Sequence, residues 1–410
     1  MRIVAYKGLS KKEITEKELQ IIGNMTQYLN ETPRNILDTR GNNAQKWKKE
    51  YEEYQDVQKL PDSCDVLILT ANQVEANTFL RLLYDINKKP LDTFADMESK
   101  CRYHFCEIAG SSIVHVQTLE PSSDTMDGSR NATEYGINKF KPKLVVSLGV
   151  AFGNDPDSQR FGDVIISKVL CCYDVQYKVK KDMISLKPKR FHSIDSFLLT
   201  AWGNPLSNKD TPNDNNMNFC WHFGTVLSGG GVVDSIEYKL KLIDACNENN
   251  YYDVVGGEME GFGAFDVCQK HEIPFVVIKG ICDWGDGKNK WAECVKIADL
   301  DKPNNYTDEE WNDFLKDGIQ GYAAENAFNA LKFLLDFGMI PLICDRKYDR
   351  ATALGKGLPL LEKIIDAPLG IVKKIKKETL ITLTLCGLTI TSYLSGISLI
   401  LCKLQNDNII

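Results

Sequence analysis

The sequence predicts an α/β protein of three layers, helices on both sides of a sheet, followed by a C-terminal transmembrane helix. Three observations lead there. Short aliphatic and β-branched runs recur through the middle of the chain. Stretches whose apolar residues repeat at helical spacing lie between them, which is the alternation of an α/β sheet. A long uncharged run then stands close to the C-terminus.

Taken in order, residues 1–61 are a polar extension in which Trp47-Lys-Lys-Glu-Tyr-Glu-Glu-Tyr54 reads as a solvated helix. From Asp62 the texture changes and a domain over 62–337 begins. Buried strands are expected at Asp65–Leu69, Ser112–Val116, Leu144–Leu148, Asp163–Ser167 and Phe275–Lys279. Helices are expected at Val74–Leu83, Asn131–Phe140, Ile236–Cys246 and Gly261–His271. Residues 338–379 form a connector broken by Pro341, Gly355, Gly357, Pro359 and Pro368, and basic at its end.

Leu380–Cys402 carries no formal charge between Glu378 and Lys403, and as a helix it spans the roughly 30 Å of a bilayer core. Lys373, Lys374, Lys376 and Lys377 on its N-terminal flank place the large body in the cytoplasm, tethered to the membrane through residues 380–402. Ser392 and Gly396 give a small-residue spacing suited to helix self-association, and a homo-oligomer is expected.

A net charge of −7 argues against a nucleic-acid partner. The 13 cysteines and five histidines are scattered without metal-ligand spacing, so neither a disulfide framework nor a metal is expected. Two carboxylates draw attention. Within Gly256-Gly-Glu-Met-Glu-Gly-Phe-Gly263, Glu260 opens a helix, and Asp283 is expected just past a strand in the loop Gly280–Gly287. Ligands of open α/β sheets collect at the carboxyl ends of strands. Taken alone, Glu260 reads more readily as a helix-dipole partner and Asp283 as a turn former.

Five segments in order change that balance: Ile68–Glu75, Val145–Gly153, Phe161–Ser167, Gly257-Glu-Met-Glu-Gly261 and Val277–Asp283. Together they resemble the purine nucleoside phosphorylase and uridine phosphorylase superfamily, in particular its methylthioadenosine/S-adenosylhomocysteine nucleosidase branch and related domains of bacterial defence proteins. The resemblance implies a nucleoside phosphorylase-like domain that cleaves the N-glycosidic bond of a purine nucleoside or nucleotide without a cofactor. It implies Asp283 as the acid that protonates the leaving base, Glu75 as the base for water, and Glu260 as the acceptor of ribose hydroxyls. Met259, Glu258, Gly149, Val150, Ala151, Val232, Val233 and Lys279 are implied as substrate-binding positions.

Phosphorolysis needs cations around the attacking phosphate. Thr70–Thr78 and Thr118–Gly128 contain neither Lys nor Arg, and the second carries Glu120, Asp124 and Asp127, so hydrolysis is favoured. Arg130 follows that loop and stays open between a phosphate contact and an exposed helix residue. Val150, Val232 and Val233 depart from the nucleosidase pattern, and Lys279 stands at a basic position of the family, so the identity of the purine is left open. A phosphorylase and a nucleotide sensor coupled to the membrane remain the alternatives. An antiphage effector role, with a regulatory protein at the N-terminus, is the expectation drawn from the defence-associated relatives.

Overall fold

The structure is a computed structural model; it describes residues 60–340 apart from 88–90, 97–100, 119–127, 175–177, 181–182, 187–190, 196–197, 199–218, 287–306 and 337–339. The chain divides into two compact units, Met1–Asp195 with Pro212–Gly338 and Ser196–Thr211 with Met339–Ile410. The second contributes only Leu198 and Ile340 to the described residues. The expected N-terminal helix, the connector and the run 380–402 all lie outside them. No helix among the described residues is long and apolar enough to cross a membrane.

The elements follow in chain order as β1 (Val66–Thr70), α1 (Gln73–Asn87), β2 (Asp92–Ala95), β3 (Arg102–Ile108), β4 (Ser111–Gln117), α2 (Ser129–Phe140), β5 (Leu144–Gly153) and β6 (Val164–Cys172). After them come β7 (Lys178–Lys180), β8 (Met183–Ser185), β9 (Phe191–Ser193), β10 (Trp221–Ser228), α3 (Ile236–Asn247), β11 (Val254–Glu258), α4 (Gly261–Lys270), β12 (Phe275–Asp283) and α5 (Asp308–Asp336). The main sheet runs β11-β10-β6-β12-β5-β1-β4-β3-β2, with β9 added beside β6, while β7 and β8 form a separate ribbon. β1 is parallel to β4 and β5, and all five of its residues are buried, the pattern of a strand covered on both faces.

Two residues of β12 define the layers. A β-carbon on Gly280 would meet the carbonyl of Ala323 on α5 at 2.0 Å, whereas Val277, an odd number of residues away, lies against Gly261 of α4. Alternating residues of a strand face opposite ways, so α4 and α5 cover opposite sides of the sheet. The core between these layers includes Leu67, Phe140, Val145, Ile165, Val277 and Ala264. Leu67 is fully buried, and its truncation to Ala would cost about 2–5 kcal/mol.

One end of the sheet closes on itself. β11 pairs antiparallel with the end of β5, Gly256 opposite Gly153 and Gly257 opposite Phe152, so that β5, β12, β6, β10 and β11 form a ring. Only glycine fits at 256, where a β-carbon would stand 2.2 Å from the carbonyl oxygen of Phe152.

Each strand and helix expected between residues 62 and 337 is present with shifted ends. An expected loop is strand instead, β12 continuing through Gly280 to Asp283, and β5 runs past its expected end at Leu148 to Gly153. Their glycines are there because helices and strands approach closely, a packing demand that sequence reading takes for punctuation. Asp283 is therefore the last residue of the strand rather than a loop residue.

Candidate active site

Four segments converge on one buried cluster: the start of α1, the middle of β5, the junction of β11 with α4, and the end of β12. Glu75 enters it from the first turn of α1. Its backbone N–H donates to Asn72 Oδ1 at 2.9 Å, and its Oε2 accepts from Asn72 N at 3.1 Å and Ala71 N at 2.6 Å. Such a reciprocal arrangement caps a helix. Capping leaves Oε1 unused, and this oxygen reaches across to accept from Val150 N at 2.7 Å. Gly149 beside it has φ +148°, a conformation reserved for glycine.

Glu258 and Glu260 come from the β11–α4 junction. Glu258 Oε2 accepts from the backbone N–H of Glu260 at 3.0 Å and of Gly261 at 2.7 Å, satisfying orphan donors of the helix start. Its Oε1 is buried without a hydrogen-bond partner. Ser228 Oγ, at the end of β10, accepts from Phe262 N at 2.8 Å, and Ser129 Oγ donates to the carbonyl of Glu260 at 2.5 Å.

Lys279 of β12 joins the carboxylates. Its ammonium lies 3.0 Å from Glu260 Oε2 and 3.7 Å from Glu75 Oε1, with its side chain fully buried. Burial pulls the lysine pKa down, but Glu260, Glu75 and Glu258 outweigh it and raise the value well above that of free lysine. Burial likewise pushes both Glu75 and Glu260 up from the carboxylate range, against the pull of Lys279. One ammonium thus stands between two buried carboxylates, so the cluster carries one cation against two groups whose charged forms burial disfavours.

Asp283 terminates β12 opposite Phe152 of β5, where the register shifts between Ile281 and Asp283. Such a shift re-aims a side chain at a sheet end. Its Oδ1 accepts from Gly285 N at 2.8 Å, and it is partly exposed while the cluster behind it is buried.

The remaining sequence-derived positions separate. Met259 is half-buried between the two glutamates, Val150 is half-buried, and Ala151 is buried. Val232 is 72% exposed, whereas Val233 is buried in a core with Phe152 and Leu242. Arg130 pairs with Asp266 across the α2–α4 surface. Ser228 opens the segment Ser228-Gly-Gly-Gly231, which the sequence offers as a pocket wall or an ordinary loop; its hydroxyl instead anchors the start of α4 together with Ser129, which sequence reading missed because nothing distinguishes such a serine before the elements are placed. Sequence reading also missed Tyr173, whose hydroxyl donates to the carbonyl of Gly231 at 2.6 Å and fixes the glycine loop after β10.

The arrangement joins a buried, cation-paired carboxylate pair to a more accessible aspartate at the carboxyl end of a strand, a set able to move protons on either side of a bond. The chain is also similar to known proteins. The chain is 28% identical over 244 residues to a death domain-containing ATP nucleosidase of Amphimedon queenslandica, a match covering 54% of this chain and 43% of that one. It is 26% identical over 155 residues to a 5'-methylthioadenosine/S-adenosylhomocysteine nucleosidase of Staphylococcus haemolyticus, covering 37% of this chain and 61% of the relative. The matches thus span under two thirds of either relative. Among solved structures, a 5'-methylthioadenosine/S-adenosylhomocysteine nucleosidase of Colwellia psychrerythraea in complex with adenine aligns with TM-score 0.49 at 19% identity, covering 69% of this chain and 98% of that one. The family model described as the phosphorylase superfamily matches residues 65–313, more than half of the sequence, and the chain belongs to that superfamily.

Proposed function

We propose that the protein is a purine nucleosidase, hydrolysing the N-glycosidic bond of an adenine or other purine nucleoside or nucleotide. The observation that carries this reading is the buried Glu75–Lys279–Glu260 cluster, with Asp283 at the end of the same strand as Lys279.

In the proposed reaction Asp283 donates a proton to the purine as the bond from C1' to the base breaks. Glu75 takes the proton of the water whose oxygen forms the new bond to C1'. Glu260 accepts hydrogen bonds from the ribose hydroxyls and places negative charge beside the oxocarbenium-like carbon. The products are the free purine and a sugar with an anomeric hydroxyl. Lys279 keeps Glu75 and Glu260 apart in charge and fixed in place.

The same lysine supports hydrolysis over phosphorolysis. It is committed to carboxylates, so an attacking phosphate would meet net negative charge where it needs cations. The nucleosidase names of the sequence relatives point the same way. We carry forward as part of the proposal a catalytic domain over 62–337 tethered to a membrane by 380–402, self-associating, and acting in antiphage defence.

The deciding experiment is base release by the purified full chain from adenosine, inosine, methylthioadenosine, AMP and ATP, with and without phosphate. Phosphate-independent release that vanishes in Asp283→Asn is the expected result. Strict phosphate dependence would make the protein a phosphorylase, and binding without turnover across the panel would make it a sensor.

A further inference from the structure

Lys239 lies outside the cluster, one turn into α3, and is 3% exposed. The position is unfavourable for an ammonium. Burial depresses its charged form, and the positive end of the helix dipole opposes a cation in the first turn. Asp286, Asp283 and Asp155 counter that electrostatically. Two backbone carbonyls complete the site: Nζ donates to Trp284 O at 2.6 Å and to Asn154 O at 3.3 Å.

Those carbonyls are informative by their places in the chain. Trp284 directly follows Asp283, and Asn154 directly follows the last residue of β5. The turn after Asp283 needs Gly285 at φ +57°, whose amide holds Asp283 Oδ1 and whose Cα side faces the carbonyl of Val233. Val233 in turn leads, through Ser235 as the helix cap, straight into α3 and Lys239. The Trp284 ring also packs at a tilt on Phe161, 5.3 Å between centroids, a further contact of the residue that follows Asp283.

We propose that Lys239 is a positioning residue for the reaction: it ties the turn that carries Asp283 to the start of α3, so that the aspartate and the segment around Val233 keep one relative placement. This rests on the nucleosidase reading for its catalytic meaning, and on the two hydrogen bonds for its structural one. A carboxyl that must meet a ring nitrogen within hydrogen-bond reach tolerates little drift, and a misplacement of about 1 Å lowers rates by up to about 100-fold.

The test uses Lys239→Met, which removes charge and donors, and Lys239→Gln, which keeps a donor, both in the full chain. Turnover in base release is read beside amide hydrogen exchange of the peptide covering 281–286 and thermal unfolding. The expected result is at least about a tenfold fall in kcat for the Met variant, with faster exchange in that peptide and partial recovery of both in the Gln variant. If the Met variant does not fold, the Gln variant carries the same comparison, with a smaller loss expected. Unchanged exchange in a folded variant, or unchanged kcat beside faster exchange, overturns the proposal. Absence of base release by the wild type would instead sink the nucleosidase reading, and the exchange data alone would then decide whether Lys239 holds the turn.

Discussion

A β-carbon placed on Gly149 would stand 2.2 Å from Oε1 of Glu75, and Gly149 itself holds φ at +148°. Strand and carboxylate are thus fitted to each other. Gly149→Ala should lose about 1–3 kcal/mol of stability from backbone strain. Base release should fall further than stability alone explains, because Glu75 must leave the Val150 amide. Chemical denaturation and turnover measured on the same sample check this, and full activity in a folded variant would remove Glu75 from the chemistry as described.

Lys279→Met leaves Glu75 and Glu260 buried beside each other without their cation, a loss of about 3–5 kcal/mol at neutral pH. The sign against pH follows from the raised lysine value. Its contribution is complete below the pKa of free lysine and is lost only as pH rises through the higher folded value. The deficit of the variant should shrink on acidification, as the two glutamates take up protons and no longer need a partner. Denaturation midpoints from pH 5 to pH 8 test it, and a deficit independent of pH contradicts the charge argument.

Glu75→Gln keeps the shape of the side chain and removes the base. Turnover should drop by about 100- to 10,000-fold while free adenine still binds; with its oxygen kept on Val150 the amide turns its NH2 toward the Ala71 and Asn72 N–H groups, so some stability is lost as well. Calorimetry with adenine beside a single-turnover assay separates the two effects.

A second buried group adds to the acid sensitivity of the fold. His104 and His115 place their Nδ1 atoms 3.2 Å apart, and Thr70 Oγ1 lies 2.9 Å from His115 Nε2. Burial drives His104 down to about 4 and His115 well below its usual value, so both are neutral when folded. The unfolded chain takes up their protons near pH 6.5, hence the stability they supply is present above that value and lost as pH falls toward 4. The effect is on the order of 3 kcal/mol for His104. A His104→Gln, His115→Gln double variant should flatten that part of the pH profile; an unchanged slope would falsify the assignment.

The strand cores were readable because a strand buried on both faces leaves an unbroken aliphatic run, as in Val66–Thr70 or Phe275–Ile278. β10 and β11 were not: Trp221-His-Phe-Gly mixes polar and aromatic residues, and Val254-Val-Gly-Gly-Glu is short and carries the glycines demanded by the contact with β5. The carboxylates of the candidate site, Glu75, Glu260 and Asp283, were singled out through the resemblance of the segments around them to the family, since each alone reads as a cap or a turn residue. The electrostatics of the site were not legible. That Lys279 lies between Glu75 and Glu260, or that Lys239 reaches Trp284, depends on register between strands and on helix placement. Neither has a local signature.

The pairing of Glu75 with Lys279 joins the first helix of the domain to its last strand, and Asp283 closes that strand. Contacts so distant in sequence form late, after most of the chain is available. A ribosome that has exposed α1, β5 and the β11–α4 junction has therefore made every carboxylate of the cluster and none of its counterion. On the nucleosidase reading, a nascent or C-terminally clipped chain ending before residue 279 lacks both this counterion and Asp283, and such a chain should release no base.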